Sequence, residues 1–318
     1  MNKELKYKIK VKNLYKKLVA ISGGQDSIYL IKLIENFQNK QKNNKEYQDN
    51  ISYIYIDHQW RQDSYQQVMH IINYIKLLHR KIYIYQLPQT NMSEKSCRLY
   101  RYHLLTKHAA KHKINFIITG HNETDKIETF LNNFFRGSGI QGKTSLVIQS
   151  KINHDTYLLR PMLKLKRNNI YWACKKFYLP IWSDNTNYVY NFDRNRIRHE
   201  LVPYLQKYFH RNITKSISLL LKNCYRDNEY IKQSITKLYL HSKHPIYIAI
   251  NHNTLKTQNF VLQFKTIQLF CIHNLNLHLE QSKIIYILMD INKNKVNKSI
   301  KLKQLKIRTN KNWIYITL

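Results

Sequence analysis

The sequence predicts an α/β fold: a doubly wound, mostly parallel sheet, then a helical linker and a small α+β module. Three observations point there. Short apolar runs alternate with stretches of helical periodicity through the first half of the chain. Polar and glycine residues with chemical potential fall directly after those runs, where open α/β sheets bind ligands. At 318 residues the chain is long enough for a catalytic domain plus an appendage.

Taken in order, Lys17 to Ile21 is a short strand-like run, followed by Ser22-Gly23-Gly24 and then Ile28, Leu30, Ile31 and Ile34 at helical spacing. Strand, glycine turn and helix are the expected result. The pattern repeats with Ile51 to Ile56 before Val68, Ile71, Ile72 and Ile75, and with Ile82 to Tyr85 before a helix from about Ser96 to Lys111. A fourth unit pairs Phe116 to Ile118 with a helix from about Asp125 to Phe135. Beyond Arg160-Pro161 the pattern predicts a helix from about Lys164 to Tyr178, a polar stretch from Ser183 to Asn195, and a long helical region from Ile213 to Leu240. Weaker signals follow: an apolar stretch near Tyr247 to Ile250, helices around Phe260 to Ile272 and Glu280 to Ile291, and strand-like Ile300 to Leu305 and Trp313 to Leu318. The expected boundaries are a catalytic domain over 1–212, a helical linker over 213–240 and a small C-terminal module over 241–318.

Charge narrows the partners. The chain carries 53 Lys and Arg against 19 Asp and Glu, a formal charge of +34, beyond what solubility requires. A polyanion, with nucleic acid leading, is the expected partner. Abundant Lys, Asn, Ile and Tyr also fit AT-biased codon usage. That bias suggests a plastid genome, and so the chloroplast stroma, or else an AT-rich bacterium and its cytoplasm. Mutation bias alone leaves the scarcity of Asp and Glu unexplained. No run of eighteen apolar residues occurs and the lysine-rich start lacks a signal's apolar core, so no membrane association is expected. Cys97, Cys174, Cys224 and Cys271 stand far apart, with no Cys-x-x-Cys for a zinc ribbon or dithiol.

The loop Ser22-Gly23-Gly24-Gln25-Asp26-Ser27 has a specific physical use. Its glycines permit positive φ and close backbone approach, Ser22 and Ser27 add hydroxyls, and the next helix adds its N-terminal partial charge. Together they suit a pyrophosphate. Asp26 beside phosphate implies an intervening Mg²⁺. The bland alternative is a serine-capped helix start. Reading on past the strand ends gives Asp57-His58 and then Gly120-His121-Asn122, followed by Asp125 and Glu128 three apart on one helix face. Arg98 and Arg101 share a helix face, Arg136-Gly137-Ser138-Gly139 is too glycine-rich to continue a helix, and Arg194, Arg196 and Arg198 alternate along a basic segment. Each set suits phosphate.

The Ser22–Ser27 loop lacks the lysine of the Walker P-loop and resembles the PP-loop of N-type ATP pyrophosphatases, which split ATP between its α and β phosphates. Further motifs follow in order: Ile56-Asp57-His58-Gln59-Trp60-Arg61, Arg98-x-x-Arg101-Tyr102, Gly120-His121-Asn122-x-x-Asp125-x-x-Glu128-Thr129, and Arg136-Gly137-Ser138-Gly139. With Arg160-Pro161-Met162-Leu163, Asp184-x-x-Asn187 and Arg194-Asn195-Arg196-Ile197-Arg198, the chain from 18 to about 205 resembles the tRNA(Ile)-lysidine synthetase family. Departures are small: Gln25 in the loop, and Gln59-Trp60 where Gly-Leu is common.

That resemblance implies a two-step reaction on the wobble cytidine of a CAU anticodon. ATP adenylates the cytosine C2 oxygen, releasing pyrophosphate; the ε-amine of free L-lysine then displaces AMP. The implied partners are ATP, Mg²⁺, tRNA(Ile) with the CAU anticodon and free L-lysine, with a homodimer left open. ATP would be held by Ser22, Gly23, Gly24, Gln25, Asp26, Ser27, Asp57, His58 and Gly120, and the metal by Asp26 and Asp125. Catalysis would fall to Asp26, His121, Asp125 and Glu128. Asp125 could bind the metal or accept a proton, Glu128 could accept from the cytosine amino group, and His121, with a pKa near neutrality, could bind phosphate or move a proton. Arg98, Arg101, Arg136, Arg194 and Arg198 would meet the tRNA. Trp60, Tyr100, Tyr102 and Tyr157 are candidates to stack on bases, though 25 tyrosines make packing the commoner use. Competing readings are a tRNA thiolase, which generally needs paired cysteines; a small-molecule amidotransferase-type synthetase, which does not need this charge; and a non-catalytic RNA-binding protein, which would not need Asp26, Asp125 and Glu128 together.

Overall fold

The computed structural model describes residues 15–39, 50–57, 59, 63–87, 94–144, 146–182, 193–293, 299–302 and 305–317. The chain divides into two compact units, Met1–Leu221 and Lys222–Leu318.

The first unit is built on six strands and the helices between them. In chain order these are β1 (Lys17–Ile21), α1 (Gln25–Asn39), β2 (Ile51–Asp57), α2 (Ser64–Leu77), β3 (Lys81–Gln86), α3 (Glu94–Lys111), β4 (Phe116–Thr119) and α4 (Glu123–Phe135). The short helix α5 (Ile140–Lys143) leads to β5 (Gln149–Lys151), β6 (Tyr157–Leu159) and α6 (Arg167–Lys176). Helix α7 (Asp193–Arg196) then runs through a π-helical turn, Ile197–Leu201, into α8 (Val202–Tyr208), and α9 (Ile213–Ser242) leaves the unit.

Strand order is β3-β2-β1-β4-β6-β5. Every neighbouring pair is parallel except β5 with β6, so one antiparallel edge strand joins the parallel sheet the sequence predicts. Alternation along the strands explains why both faces are covered: Val19, Tyr53 and Tyr55 pack with Ile28, Ile31, Ile71 and Ile170 on one side. Leu18, Ile54, Ile56 and Ile117 pack with Leu105 and Ala109 on the other. A third cluster joins Ile127, Phe130 and Leu131 of α4 to Ile197, Val202, Ile217 and Leu221. It fixes the arginine-bearing segment to the helix that carries Asp125 and Glu128.

β1 lies between β2 and β4, so the chain turns away to opposite sides at its carboxyl end. That switch point is where a doubly wound sheet opens a crevice. The glycine loop and the start of α4 flank it.

The second unit packs α10 (His252–Lys256), α11 (Phe260–Leu275) and α12 (Gln281–Asn292) with β7 (Ala249–Asn251), β8 (Ser299–Leu302), β9 (Leu305–Thr309) and β10 (Trp313–Thr317). Its strands form an antiparallel sheet of order β7-β10-β9-β8. The region read as one strand-like run from Ile300 to Leu305 thus contributes to two. Its core gathers Tyr239, Ile250, Phe270, Ile284, Leu288 and Ile314.

Candidate active site

Glycine is required at 23 for two reasons. Its φ is +77°, and a Cβ there would stand 2.8 Å from Ile71 Cδ1 of α2. The loop is tied on its outer side: Gln67 Nε2 donates to the Ser22 carbonyl at 3.1 Å, and Trp182 N–H to that of Gly23 at 3.2 Å. Ser22 N–H donates to Ser27 Oγ at 3.0 Å, and the two serine hydroxyls lie 2.9 Å apart. The first intrahelical bond of α1 runs from Ile28 N–H to the Gly24 carbonyl at 3.0 Å, so the preceding first-turn N–H groups have no intrahelical acceptor. A helix start of this kind suits an anion.

Gly120 brings the second half of the site against the first. A Cβ on it would lie 3.3 Å from the Asp26 carbonyl oxygen. The end of β4 therefore abuts the first turn of α1, and Asp26 meets the residues that follow Gly120. Asp26 Oδ1 is buried without a hydrogen-bond partner. Burial, and then the charge of Asp125, raises its pKa above the usual carboxylate range, against the weaker pull of Arg167, Asn122 and Arg198.

Asn122 caps α4 reciprocally with Asp125: Asp125 N–H donates to Asn122 Oδ1 at 3.1 Å, and Asn122 N–H to Asp125 Oδ2 at 2.8 Å. Two arginines then clamp the helix. Arg194 reaches Asp125 Oδ1 with Nη2 at 2.5 Å and Glu128 Oε2 with Nε at 2.6 Å. Arg198 donates through Nε to Glu128 Oε1 at 2.6 Å and through Nη2 to Oε2 at 3.0 Å. Burial alone would raise the pKa of Asp125, but Arg194, His121, the Asn122 N–H and Arg198 outweigh it and hold it below the ordinary value. Arg196 turns the other way, to Glu200 at 3.2 Å. So Arg194 and Arg198, expected to meet RNA, are seated on Asp125 and Glu128.

The expectation for His121 needs correction. Burial, reinforced by Arg160, Arg194 and Arg98 and only partly opposed by Asp125, pushes its pKa down to about 3 instead of leaving it near neutrality. Its Nδ1 lies 2.9 Å from Thr119 Oγ1. It is a neutral ring at physiological pH.

Other expected residues divide. Asp57 sits at the crevice end of β2, but its Oδ1 accepts from Gln59 N–H at 2.9 Å and from the Ser64 hydroxyl, so its carboxylate organises the start of α2. His58 lies outside the described residues, as do Trp60 and the Asp184-x-x-Asn187 motif. Arg98 is close enough to depress His121 and has its guanidinium carbon 5.8 Å from the Tyr102 ring centre. Arg101 instead makes its charge felt at Cys97. Arg136 stands at the far end of α4, exposed and 3.7 Å from Asp193. Tyr157 packs against Phe116 at 5.9 Å. Gly24 immediately precedes α1, and Gln25 and Ser27 fall in its first turn.

A model of the PP-loop domain matches residues 1–205. A chloroplastic tRNA(Ile)-lysidine synthase of Gracilaria tenuistipitata var. liui is 43% identical over 99% of this chain and 98% of its own length. The chain belongs to the tRNA(Ile)-lysidine synthase family. A chloroplastic member from Pyropia yezoensis is 33% identical over 94% of this chain and 89% of its own length, and one from Nostoc is 35% identical over 70% and 63%. Among solved structures, a U34-tRNA thiolase from Methanococcus maripaludis shares the fold at a TM-score of 0.55 and 17% identity, covering 71% of this chain and 79% of that one.

Within this family site, sequence reading gave no individual role to Asn122 or Arg160. Arg160 follows β6, is buried, donates through Nη1 to the Val147 carbonyl at 2.9 Å, and acts on His121. The strand-end rule would have singled it out had the three-residue run Tyr157–Leu159 been read as a strand. The cysteines do not gather: Cys97, Cys174 and Cys271 are buried separately, and burial pushes Cys174 up to about 11 and Cys271 up to about 12. Among the described residues no three metal-ligating side chains cluster and no helix is long and apolar enough to cross a membrane.

Proposed function

We propose that this protein is a plastid tRNA(Ile)-lysidine synthase that converts the wobble cytidine of a CAU anticodon to lysidine at the expense of ATP, giving AMP and pyrophosphate. The observation that carries this reading is the abutment, through Gly120, of an anion-binding glycine loop on a helix start bearing Asp125 and Glu128. Kinship over the full chain with chloroplastic family members supports the substrate and the compartment.

Mg²⁺ fits the residues present. Asp26 offers a buried oxygen with no partner, Asp125 lies close enough to raise its pKa, and the phosphate cradle is adjacent. Mg²⁺ characteristically takes one or two carboxylates together with substrate phosphate oxygens and water. When bound, it would neutralise the charge of the phosphates being cleaved. Asp26 would be its principal ligand, since both oxygens of Asp125 already accept hydrogen bonds.

In the first step the cytosine C2 oxygen attacks the α-phosphorus and the bond to the β-phosphate oxygen breaks. The departing pyrophosphate stays in the Ser22–Ser27 loop, whose N–H groups and hydroxyls carry its charge. Glu128, buried with both oxygens bonded to Arg194 and Arg198, acts by positioning: it holds those arginines against the start of α4. In the second step the lysine ε-amine attacks C2, the bond from C2 to the adenylate oxygen breaks, and AMP leaves. The amine sheds its proton to water as the bond forms, and Asp125, held ionised chiefly by Arg194, contributes negative charge that favours the incoming cationic amine. His121, held neutral, serves as a hydrogen-bond partner without adding charge.

The test is incubation with ATP, Mg²⁺, radiolabelled lysine and unmodified tRNA(Ile) of CAU anticodon. Label should enter the RNA with stoichiometric AMP, and Asp26→Ala should abolish it. Formation of ADP, or sulfur transfer in place of lysine, would overturn the reading.

A further inference from the structure

Helix α4 ends in a feature that the chemistry above does not use. Phe134 and Phe135 are adjacent, and 52% and 62% of their surface is exposed. They are not on a loose end. Gly137, at φ +69°, closes the helix with Gly137 N–H to the Phe134 carbonyl and Ser138 N–H to that of Asn133, both at 3.0 Å. Asn133 Nδ2 donates to the Gly142 carbonyl at 2.8 Å, which ties α5 back onto α4. The rings are braced too: Phe134 lies 6.0 Å from the buried Phe130, and Phe135 stands edge-on to Phe134 at 5.9 Å. Two aromatic faces are thus held rigidly toward solvent.

Cations flank them. Lys143 Nζ lies 5.0 Å from the Phe134 ring centre, and Arg136 is exposed at the next position. The site is near along the helix: Phe135 is seven residues beyond Glu128, two turns on the same face, or about 10 Å. Asp193, which pairs with Arg136, directly precedes the Arg194 that holds Asp125.

We infer that Phe134 and Phe135, with Lys143 and Arg136, form a stacking platform for the RNA bases beside the target cytidine. This rests on the lysidine-synthase reading, and it names what replaces the stacking that the loop loses when the target base leaves it. Rigid aromatic faces accept any base, and flanking cations meet the phosphates between bases. An apolar protein surface would instead have to desolvate the exposed Arg136 and strip the remaining water from the half-buried Lys143.

The test uses full-length protein and an anticodon stem-loop of unmodified tRNA(Ile) labelled for anisotropy, with single-turnover lysine incorporation measured in parallel. Phe134→Ala/Phe135→Ala should weaken stem-loop binding roughly tenfold and raise the KM for tRNA alike, with ATP affinity unchanged. Phe135→Trp should bind as well as wild type, and Phe135→Leu should not. Photocrosslinks from 4-thiouridine beside the target base should map to residues 134–143. Wild-type affinity in the Phe135→Leu and double-alanine proteins would overturn the platform. So would loss of a dimer in sedimentation with RNA binding intact, which would make the patch a protein interface. Wild-type protein that binds the stem-loop but adds no lysine would sink the catalytic reading and leave the stacking measurement standing.

Discussion

Arg198 and Glu128 face one another through two hydrogen bonds of 2.6 and 3.0 Å, and the carboxylate among them is almost wholly removed from water. Arg194 adds a third bond at 2.6 Å. A carboxylate this buried is tolerable only while paired, so the arginine segment meets α4 through charge as well as through the apolar cluster around Ile127. Arg198→Ala should cost about 3 kcal/mol of stability, at the low end for a broken buried pair because Arg194 remains. Chemical denaturation of Arg198→Ala, Glu128→Gln and the double variant would measure it. If the double variant is no more stable than Arg198→Ala, the cost does not come from the stranded charge.

Asp26 should behave in the opposite sense. Its folded pKa lies above the ordinary value, so its charged form is a net cost to the empty protein. That cost is present at neutral pH and fades as pH falls through the folded pKa. Asp26→Asn should therefore melt at or above the wild-type temperature without nucleotide, while losing ATP-dependent pyrophosphate release by 100-fold or more. With Mg²⁺ and ATP the order should reverse, because only wild type gains the metal-linked stabilisation. A variant that melts lower without ligand would show that Asp26 is a structural carboxylate.

Gly23→Ala should destabilise the protein by about 1–2 kcal/mol from the left-handed backbone alone. The added Cβ also meets Ile71 Cδ1 at 2.8 Å. Ile71→Val removes that atom and should recover only the steric part. Urea midpoints of the two single variants and the pair separate the contributions. An additive result would mean that the helix end moves freely and that the clash is not felt.

How much of this was legible depended on distance along the chain. β1 to β4 announce themselves because each is a run of apolar residues closed by a turn, and Ser22–Ser27 and Gly120–Glu128 were legible because they follow those runs. β5 has no such signal: Gln149, Ser150 and Lys151 are polar and the strand is three residues long. It forms because β6 presents a free edge. The arginine clamp was illegible for a different reason. Arg194 and Arg198 lie 66 and 70 residues from Glu128, and nothing local distinguishes an arginine waiting for RNA from one already paired. Likewise the acidity of His121 follows from burial among distant arginines, which its neighbours in sequence do not disclose.

His108 should make the fold acid-sensitive from about pH 6.5 downward. It is buried against Tyr83, His112 and Tyr85, whose hydroxyl lies 2.9 Å from its Nδ1. Burial, followed by the charges of His112 and Lys111, pushes its pKa down to about 4 from 6.5. The unfolded chain therefore binds a proton that the folded protein refuses between those values. The stability it contributes is whole above about 6.5 and is lost progressively as pH falls to about 4, up to about 3 kcal/mol in all. His121 adds to the same trend, its pKa lowered to about 3. Unfolding free energies measured from pH 7.5 to 4 should fall with pH in wild type and fall less steeply in His108→Phe. That variant should be less stable at pH 7, where the Tyr85 hydroxyl loses its partner, and should close the gap in acid. Parallel curves for the two proteins would mean that His108 takes up its proton without leaving the folded state, and that the burial described here does not govern its charge.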